Sequence, residues 1–315
     1  MNKKYLLTVI IPVYNTAQYV ERCVNSVLNQ SLKEIQVIII DDASCDSSYD
    51  TACRFKRFDN VRIIRNSENI GQGPTRNLGL QYVDTEYFCF LDSDDWVDTN
   101  AYEQAVTALE KRQDCTIAVF GIRTEYDNAC LSETRYSYHD NTISNEFALA
   151  LLTREYAQDS HISALLGNKV FRSKNHIDIK FTDRTFEDAI YMYKSFLYAG
   201  NVALLSSTYL HYYQRTDSIM HTFSKRYIDD LIDEFLDLRN YLLDSGIQLR
   251  PNQYFAYFEK CCNSMFKILF STTQDVSTQK QYLAHYFDRI LRDFSIAELV
   301  DYTDISRIKK VLYYE

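Results

Sequence analysis

YFCFLDSDDW, residues 87–96, joins an aromatic apolar run to three carboxylates, Asp92, Asp94 and Asp95, within four residues. Its apolar half reads as a buried strand. Like charges this close repel one another and resist burial, so such a run at a strand's mouth makes sense chiefly where a cation neutralises it. A divalent metal is the natural candidate.

Upstream of this run, strand and helix patterns alternate. LLTVIIPVY (6–14) is a buried-strand run, and Tyr19, Val20, Cys23, Val24, Val27 and Leu28 form one helical stripe that Asn15 or Thr16 would cap. IQVIII (35–40) is a second strand ending at Asp41 and Asp42, and a weaker helix covers about 48–58. VRIIR (61–65) is a third strand, PTRNLGLQYV (74–83) a short helix and YFCFL (87–91) a fourth strand. The order β-α-β-α-β-α-β implies parallel strands flanked by helices. In open α/β sheets ligands bind at the carboxyl ends of the strands, which is where Tyr14, Asn15, Asp41, Asp42, Asp92, Asp94 and Asp95 fall.

CTIAVFGI (115–122) reads as a further strand, and residues 123–180 as irregular with one helical stretch near 145–157. From about residue 225 three amphipathic segments follow, YIDDLIDEFLDLRNYLL, NQYFAYFEKCCNSMFKILF and QYLAHYFDRILRDF, the first two punctuated by Gly246 and Pro251. Their aromatic stripes suit packing against a core, and an acceptor groove, a homodimer interface or a membrane-surface patch are the other readings. Their many acids disfavour adsorption to anionic lipid.

The chain has 315 residues, 46% of them hydrophobic, enough for a substantial core. Its formal charge of −9 argues against a nucleic-acid partner, which needs a basic surface. No apolar run reaches the roughly 18 residues of a membrane span, and the opening MNKKYLLTVIIPVYN lacks the small-residue cleavage site of a signal peptide. The eight cysteines are scattered, without metal-ligand spacing, as expected of reduced thiols. These features imply a cytoplasmic protein, with peripheral association at the inner face of the membrane as the alternative.

VIIPVYN, the pair Asp41–Asp42 in IIIDDASCDSS, NSENIGQGPTRNLGL and FLDSDDW together resemble family 2 glycosyltransferases, which have the GT-A nucleotide-sugar-binding, Rossmann-like fold. The likeness continues through ALLGNKVFRS (164–173), FEDAIYMYKSF (186–196) and YLHYYQRTDSIMHT (209–222), covering roughly residues 6–222. It implies an α/β catalytic domain over 1–222, with a donor half of about 1–122 and an acceptor half of about 123–222, followed by a helical extension over 223–315. It also implies an inverting, metal-dependent transfer from a nucleotide-sugar, expected to be a UDP-sugar, to a hydroxyl of a glycan, lipid-linked glycan or glycoprotein.

The resemblance carries over residue by residue. Pro12, Tyr14 and Asn15 line the nucleotide site, with Tyr14 offering a stacking face and Asp42 an acceptor for a uracil-type imide. A plain reading of Asp41 and Asp42, as caps with Ser44 for the next helix, stays open. Arg76 matches a base or phosphate contact, and otherwise is a surface arginine. Asp92-Ser93-Asp94 matches the Asp-x-Asp motif: Asp92 toward ribose, Ser93 beside it, and Asp94 on Mn²⁺ or Mg²⁺, with Asp95 sharing coordination or binding a metal-bound water. Oxygen ligands suit such hard cations, and a turn rich in aspartate is the bland alternative. Glu187 and Asp188 match the family's acidic pair, with Asp188 as general base and Glu187 close behind. A helix N-terminus also favours acids there. Arg215 and His221 fall on a segment expected to close over the diphosphate, Arg215 toward phosphate and His221 toward phosphate or metal. Asn168 and Lys169 correspond to a pair preceding an aromatic-rich strand, and His211 reads as structural.

Three other functions fit the sequence less well. A non-catalytic nucleotide-sugar-binding scaffold of a glycan-assembly complex is disfavoured because every acidic position is present. A nucleotidyltransferase needs a Gly-rich basic loop after the first strand, and a dehydrogenase a G-x-G-x-x-G turn there; PVYNTAQYV has neither.

Overall fold

The computed structural model describes residues 4–126, 132–153, 161–214, 224–247, 251–272 and 275–293. By proximity the described residues form two compact units: one from 4–126, 132–149, 161–183 and 187–214, the other from 150–153, 184–186 and 224–293 with its described gaps.

The first unit opens with β1 (Leu7–Val13), α1 (Val20–Leu28), β2 (Ile35–Asp41), α2 (Ser48–Cys53), β3 (Val61–Arg65), α3 (Gln72–Leu80), β4 (Tyr87–Phe90) and β5 (Trp96–Val97). It continues with α4 (Ala101–Lys111), β6 (Cys115–Tyr126), β7 (Ser132–Tyr136), β8 (Asn141–Ile143), the start of α5 (Asn145–Thr153, whose residues from Ala150 belong to the second unit), β9 (Lys169–Arg172), α6 (Ser173–His176), α7 (Glu187–Tyr198) and β10 (Asn201–Gln214). One mixed sheet runs β3-β2-β1-β4-β9-β6-β10-β5, with β7 on β6 and β8 on β10.

β1 to β4 are parallel, as the alternating pattern requires, with β1 in full register against β2 from Leu7↔Ile35 to Val13↔Asp41. β1 is buried throughout, so a near-continuous apolar run is what its position demands. The carbonyl of Ile10 faces β4, accepting Leu91 N at 3.0 Å, so Pro12, two residues on, turns the same way. Its missing N–H therefore points where β4 has already ended. The stripe of α1 is realised in buried Val20, Cys23, Val24 and Val27. Neither Asn15 nor Thr16 caps that helix: Tyr19 occupies the cap without a side-chain bond. α2 likewise starts after Ser47 with no side-chain cap, so Asp41, Asp42 and Ser44 do not serve it.

Among the described residues of 123–180, α5 matches the helical stretch expected near 145–157, but β7, β8, β9 and α6 stand where an irregular segment was expected, which corrects the periodicity reading. β9 enters the sheet antiparallel to both β4 and β6. Its sequence KVFR hid it, because two of four buried residues are cationic. Each cation is satisfied locally. Lys169 Nζ donates to Ser163 O, Leu165 O and Asn168 Oδ1. Arg172 donates to Glu86 Oε1 at 3.0 Å and Leu109 O at 2.9 Å. Asn168 Nδ2 also donates to Phe120 O at 2.6 Å, so the Asn168-Lys169 pair holds the strand's entry.

The second unit contains α8 (Lys225–Asp244), α9 (Pro251–Thr272) and α10 (Val276–Asp293). Gly246, at φ 66°, follows α8 in the left-handed region that glycine tolerates, and Pro251 opens α9. Phe235 of α8 packs on Tyr254, Tyr257 and Phe258 of α9. Arg289 of α10 pairs with Asp229, Asp233 and Asp293, so these three acids have an internal partner. Among the described residues no helix is long and apolar enough to cross a membrane.

α3 lies so close to the sheet that a Cβ on Gly79 would meet Ile10 Cγ2 at 2.5 Å and Ile40 Cδ1 at 3.1 Å. Gly79→Ala should therefore destabilise the protein by about 1–3 kcal/mol through overpacking, read as a lower midpoint in urea at an unchanged slope.

Candidate functional site

The turns after β1, β2, β3 and β4 meet at the carboxyl edge of the sheet and are tied together by side chains. Asn15 (φ 51°) donates its N–H to Ser44 Oγ at 3.1 Å and accepts Cys45 N at Oδ1 at 2.9 Å. Thr16 and Ser93 hydroxyls hydrogen-bond at 2.8 Å, both buried. Ser93 thus anchors the acidic turn from below.

Asp42 is buried, and its carboxylate is bonded to the 66–71 turn: Oδ1 accepts Asn66 Nδ2 at 2.7 Å and Ile70 N at 3.0 Å, and Oδ2 accepts Gly71 N at 2.9 Å. Asp41, fully buried, accepts Ser44 N and pairs with Arg65 Nε at 3.2 Å through Oδ2, while its Oδ1 has no partner. Tyr14 stands exposed at this edge (38%), an aromatic face open to a flat ligand.

Arg76 is not a surface residue. On α3 it is 3% exposed, with Nη2 2.8 Å from Asp92 Oδ1 and Nη1 2.7 Å from Glu187 Oε1, and its buried Nε has no partner among the described residues. One buried guanidinium thus bridges the acidic turn to the first turn of α7. Gln72 Nε2 adds a bond to Asp92 Oδ1 at 3.0 Å. α3 approaches residues 181–182 so closely that a Cβ on Gly73 would fall 2.0 Å from Thr182 O. Phe186, immediately before Glu187, has φ 70°; with Asn15 and Ala43 (φ 56°) this makes three non-glycine residues in the left-handed region, each next to a candidate site residue.

Asp94 is half-buried, and Asp95 is buried with Oδ1 accepting Tyr213 N at 2.9 Å. Burial, then the charges of Asp94 and Asp92, push the Asp95 carboxyl well above the usual range. The cluster therefore carries negative charge that the protein itself does not fully balance. Among the described residues no group of three or more His, Cys, Asp or Glu side chains is arranged to hold a metal by itself. Oxygen donors on an under-neutralised turn still fit a hard cation that takes its remaining ligands from phosphate and water.

Burial, then the neighbouring Glu187, raises Asp188 to about 7, with Arg76 pulling the other way. Glu187 is held by Arg76, so the two acids play different parts: one in an ion pair, the other with an elevated proton affinity. Arg215 and His221 lie outside the described residues.

The Glycosyl transferase family 2 model matches residues 8–171, just over half of the chain. The chain belongs to this family. GlyG of Streptococcus pneumoniae, a glycosyltransferase by name, is 27% identical over 237 residues, covering 73% of this chain and 78% of that protein. EpsH of Bacillus subtilis is 25% identical over 227 residues, and there the match spans 64% of the relative. Among solved structures, S. aureus TarS 1-349 in complex with UDP-GlcNAc superposes with a TM-score of 0.66 at 20% identity, covering 90% of this chain and 80% of that one. The mannosyltransferase PcManGT of Pyrobaculum calidifontis, in complex with GDP-Man and Mn²⁺, does so at 0.53 and 13% identity, covering all of this chain and 82% of that one. The fold is thus the mixed α/β sheet of GT-A glycosyltransferases, with C-terminal helices.

In this family 2 chain, sequence reasoning missed Gln72, Arg22 and Trp96. Arg22 Nη2 donates to Asp94 O at 2.8 Å, and its guanidinium packs on Trp96. The signal was faint: an arginine within an apolar helical stripe, three residues after Tyr19, and the single tryptophan directly after the acidic run. His211 bridges Glu125 Oε1 at 2.7 Å and Asp98 Oδ1 at 3.0 Å, a tie among β6, β10 and the residue after β5.

Because Asp188 has a higher pKa folded than an unfolded aspartate, its contribution to stability is complete below about pH 4 and is lost as pH rises through about 7. Asp188→Asn should therefore be more stable than wild type at pH 8, by about 1–3 kcal/mol, with the gap closing toward pH 4 in urea titrations. A pH-independent difference would contradict the raised carboxyl.

Proposed function

We propose that this protein is an inverting glycosyltransferase that moves one sugar from a UDP-sugar to a hydroxyl of a glycan, lipid-linked glycan or glycoprotein. The observation that carries the reading is the Arg76 bridge, which sets Asp92 of the acidic turn and Glu187 beside Asp188 on opposite ends of one buried guanidinium. A donor-holding turn and a base thereby share one rigid frame.

Tyr14 gives the base its stacking face, while Asp42 shapes the pocket by fixing the 66–71 turn and offers its remaining lone pairs to an imide. Asp92 faces ribose. Asp94 is the residue to hold Mn²⁺ or Mg²⁺, which when bound supplies positive charge against the departing diphosphate. Asp95, its Oδ1 engaged with Tyr213 N, shapes the turn more than it serves as a ligand. Asp188 takes the proton of the acceptor hydroxyl as its oxygen attacks the anomeric carbon opposite the diphosphate. The carbon–oxygen bond to the diphosphate breaks and its electron pair leaves with UDP. Glu187 keeps Arg76 in place, and Arg215 and His221 remain candidates for phosphate contacts. The choice of a uridine donor takes support from the UDP-GlcNAc complex of TarS, and a role for manganese from the PcManGT complex.

Incubation with a panel of nucleotide-sugars and Mn²⁺ should release UDP from one of them, and Asp94→Ala should lose turnover while remaining folded. Full activity of Asp94→Ala in a chelator refutes the metal assignment. Asp188→Asn should keep donor affinity while turnover falls by about 10²–10⁴-fold. For wild type, kcat/KM should rise with pH through about 7, following deprotonation of Asp188. A limb near pH 4 would point to an unperturbed carboxylate instead.

A further inference from the structure

The acidic turn is gripped residue by residue. Cys23 Sγ reaches Asp92 O at 3.5 Å, Thr16 holds the Ser93 hydroxyl, Arg22 Nη2 holds Asp94 O at 2.8 Å, and Tyr213 N holds Asp95 Oδ1. Three of these are a thiol, a hydroxyl and a backbone amide, which are inexpensive to bury when bonded. Arg22 is the exception. Its guanidinium lies 3.8 Å from the Trp96 ring centroid, 4.5 Å from Tyr213 and 5.8 Å from Tyr19, and its buried Nε has no partner among the described residues. Trp96 is itself stacked on His211 at 4.8 Å and 9°, and His211 is bonded to Glu125 and Asp98, so this aromatic wall is immobilised.

Burial lowers the Arg22 pKa, with Tyr213, Asp95 and Asp94 acting in the opposite direction. A half-desolvated cation that holds one carbonyl is a poor stabiliser; a methionine or leucine would fill the same space against three aromatic rings at lower cost. What the guanidinium offers beyond packing is direction. Its Cζ lies over the Trp96 ring and its Nη2 donates to the peptide oxygen of Asp94, the residue assigned above to the cation.

We propose that Arg22 is a positioning residue of the transfer reaction: held against Trp96 and Tyr213, it fixes the Asp94 peptide so that the Asp94 carboxylate is preorganised for the cation and the donor diphosphate. This rests on the proposed function, since it presumes that Asp94 serves the cation. Arg22 touches neither donor nor acceptor in this role.

The test is calorimetric binding of UDP to wild type, Arg22→Met and Arg22→Lys, each in chelator and in saturating Mn²⁺, alongside thermal melts. For Arg22→Met the account expects UDP affinity in chelator within about twofold of wild type, a cooperative melt, and a Mn²⁺-dependent gain in affinity reduced by roughly tenfold. Arg22→Lys, with its charge but without a planar fork, should recover part of that gain. A wild-type gain in Arg22→Met overturns the proposal, as does an equal loss of UDP binding in chelator and in Mn²⁺, which marks a structural role only. Should Arg22→Met fail to fold, Arg22→Lys decides alone: an intermediate gain supports the proposal and a wild-type gain overturns it. A wild type whose UDP affinity ignores Mn²⁺ overturns the metal reading and this inference together, which separates that failure from one confined to Arg22.

Discussion

Everything at the carboxyl edge of this sheet depends on one buried cation. Arg76 reaches Asp92 on one side and Glu187 on the other, two residues 95 positions apart in the chain (187 − 92) on separate elements. Removing one partner of such a buried pair leaves an uncompensated charge, typically a cost of about 3–5 kcal/mol, so the three residues hold one another in place. The same pairing differentiates the acids. Glu187 is held in an ion pair, and Asp188, buried beside it, has its proton affinity raised to near neutrality by that burial and by the Glu187 charge. A chain with formal charge −9 gathers Asp92, Asp94, Asp95, Glu187 and Asp188 at one edge, and the Arg76 guanidinium stands between two of them.

The turns around these acids are over-determined, which lets them hold unfavourable backbone. Asn15, Ala43 and Phe186 adopt left-handed φ, each costing of order 1 kcal/mol, and each lies beside Tyr14, Asp42 or Glu187. Asn15 is fastened to Ser44 and Cys45, Asp42 to three donors of the 66–71 turn, and the acidic turn to α1 and β10. A site assembled on strand ends and locked by such bonds needs little reorganisation when a charged ligand arrives, which is the condition for strong electrostatic stabilisation of a departing diphosphate.

The parallel half of the fold was legible because its periodicities are clean. β3 spans the residues expected of it, and α1 buries the stripe read from its spacing. β9 was not legible from pattern, since Lys169 and Arg172 break the apolar run, and their partners, carbonyls of the 163–165 turn and of α4 together with Glu86, are visible only in three dimensions. Among the site residues, the acids announced themselves by clustering. Arg76 was singled out only through the family resemblance, because by local pattern an arginine on a short polar helix looks solvent-exposed until Asp92 and Glu187 close on it. The cap reading of Asn15 and Thr16 failed for a related reason: their side chains bond to Cys45 and Ser93, far off in sequence, instead of to their own helix. Local chemistry identified what these residues can do, and tertiary contact decided where they do it.

The central claim is that the acidic turn presents Asp94 to a cation against a sugar-nucleotide's phosphates while Arg76 ties that turn to Glu187. A crystal of the protein grown with UDP and Mn²⁺, with anomalous data collected at the manganese edge, tests it most directly. The account predicts one strong peak in bonding contact with the Asp94 carboxylate and the UDP phosphates, with Arg76 still bridging Asp92 and Glu187. Manganese bound elsewhere, or the Asp94 carboxylate turned away from the nucleotide, would contradict it.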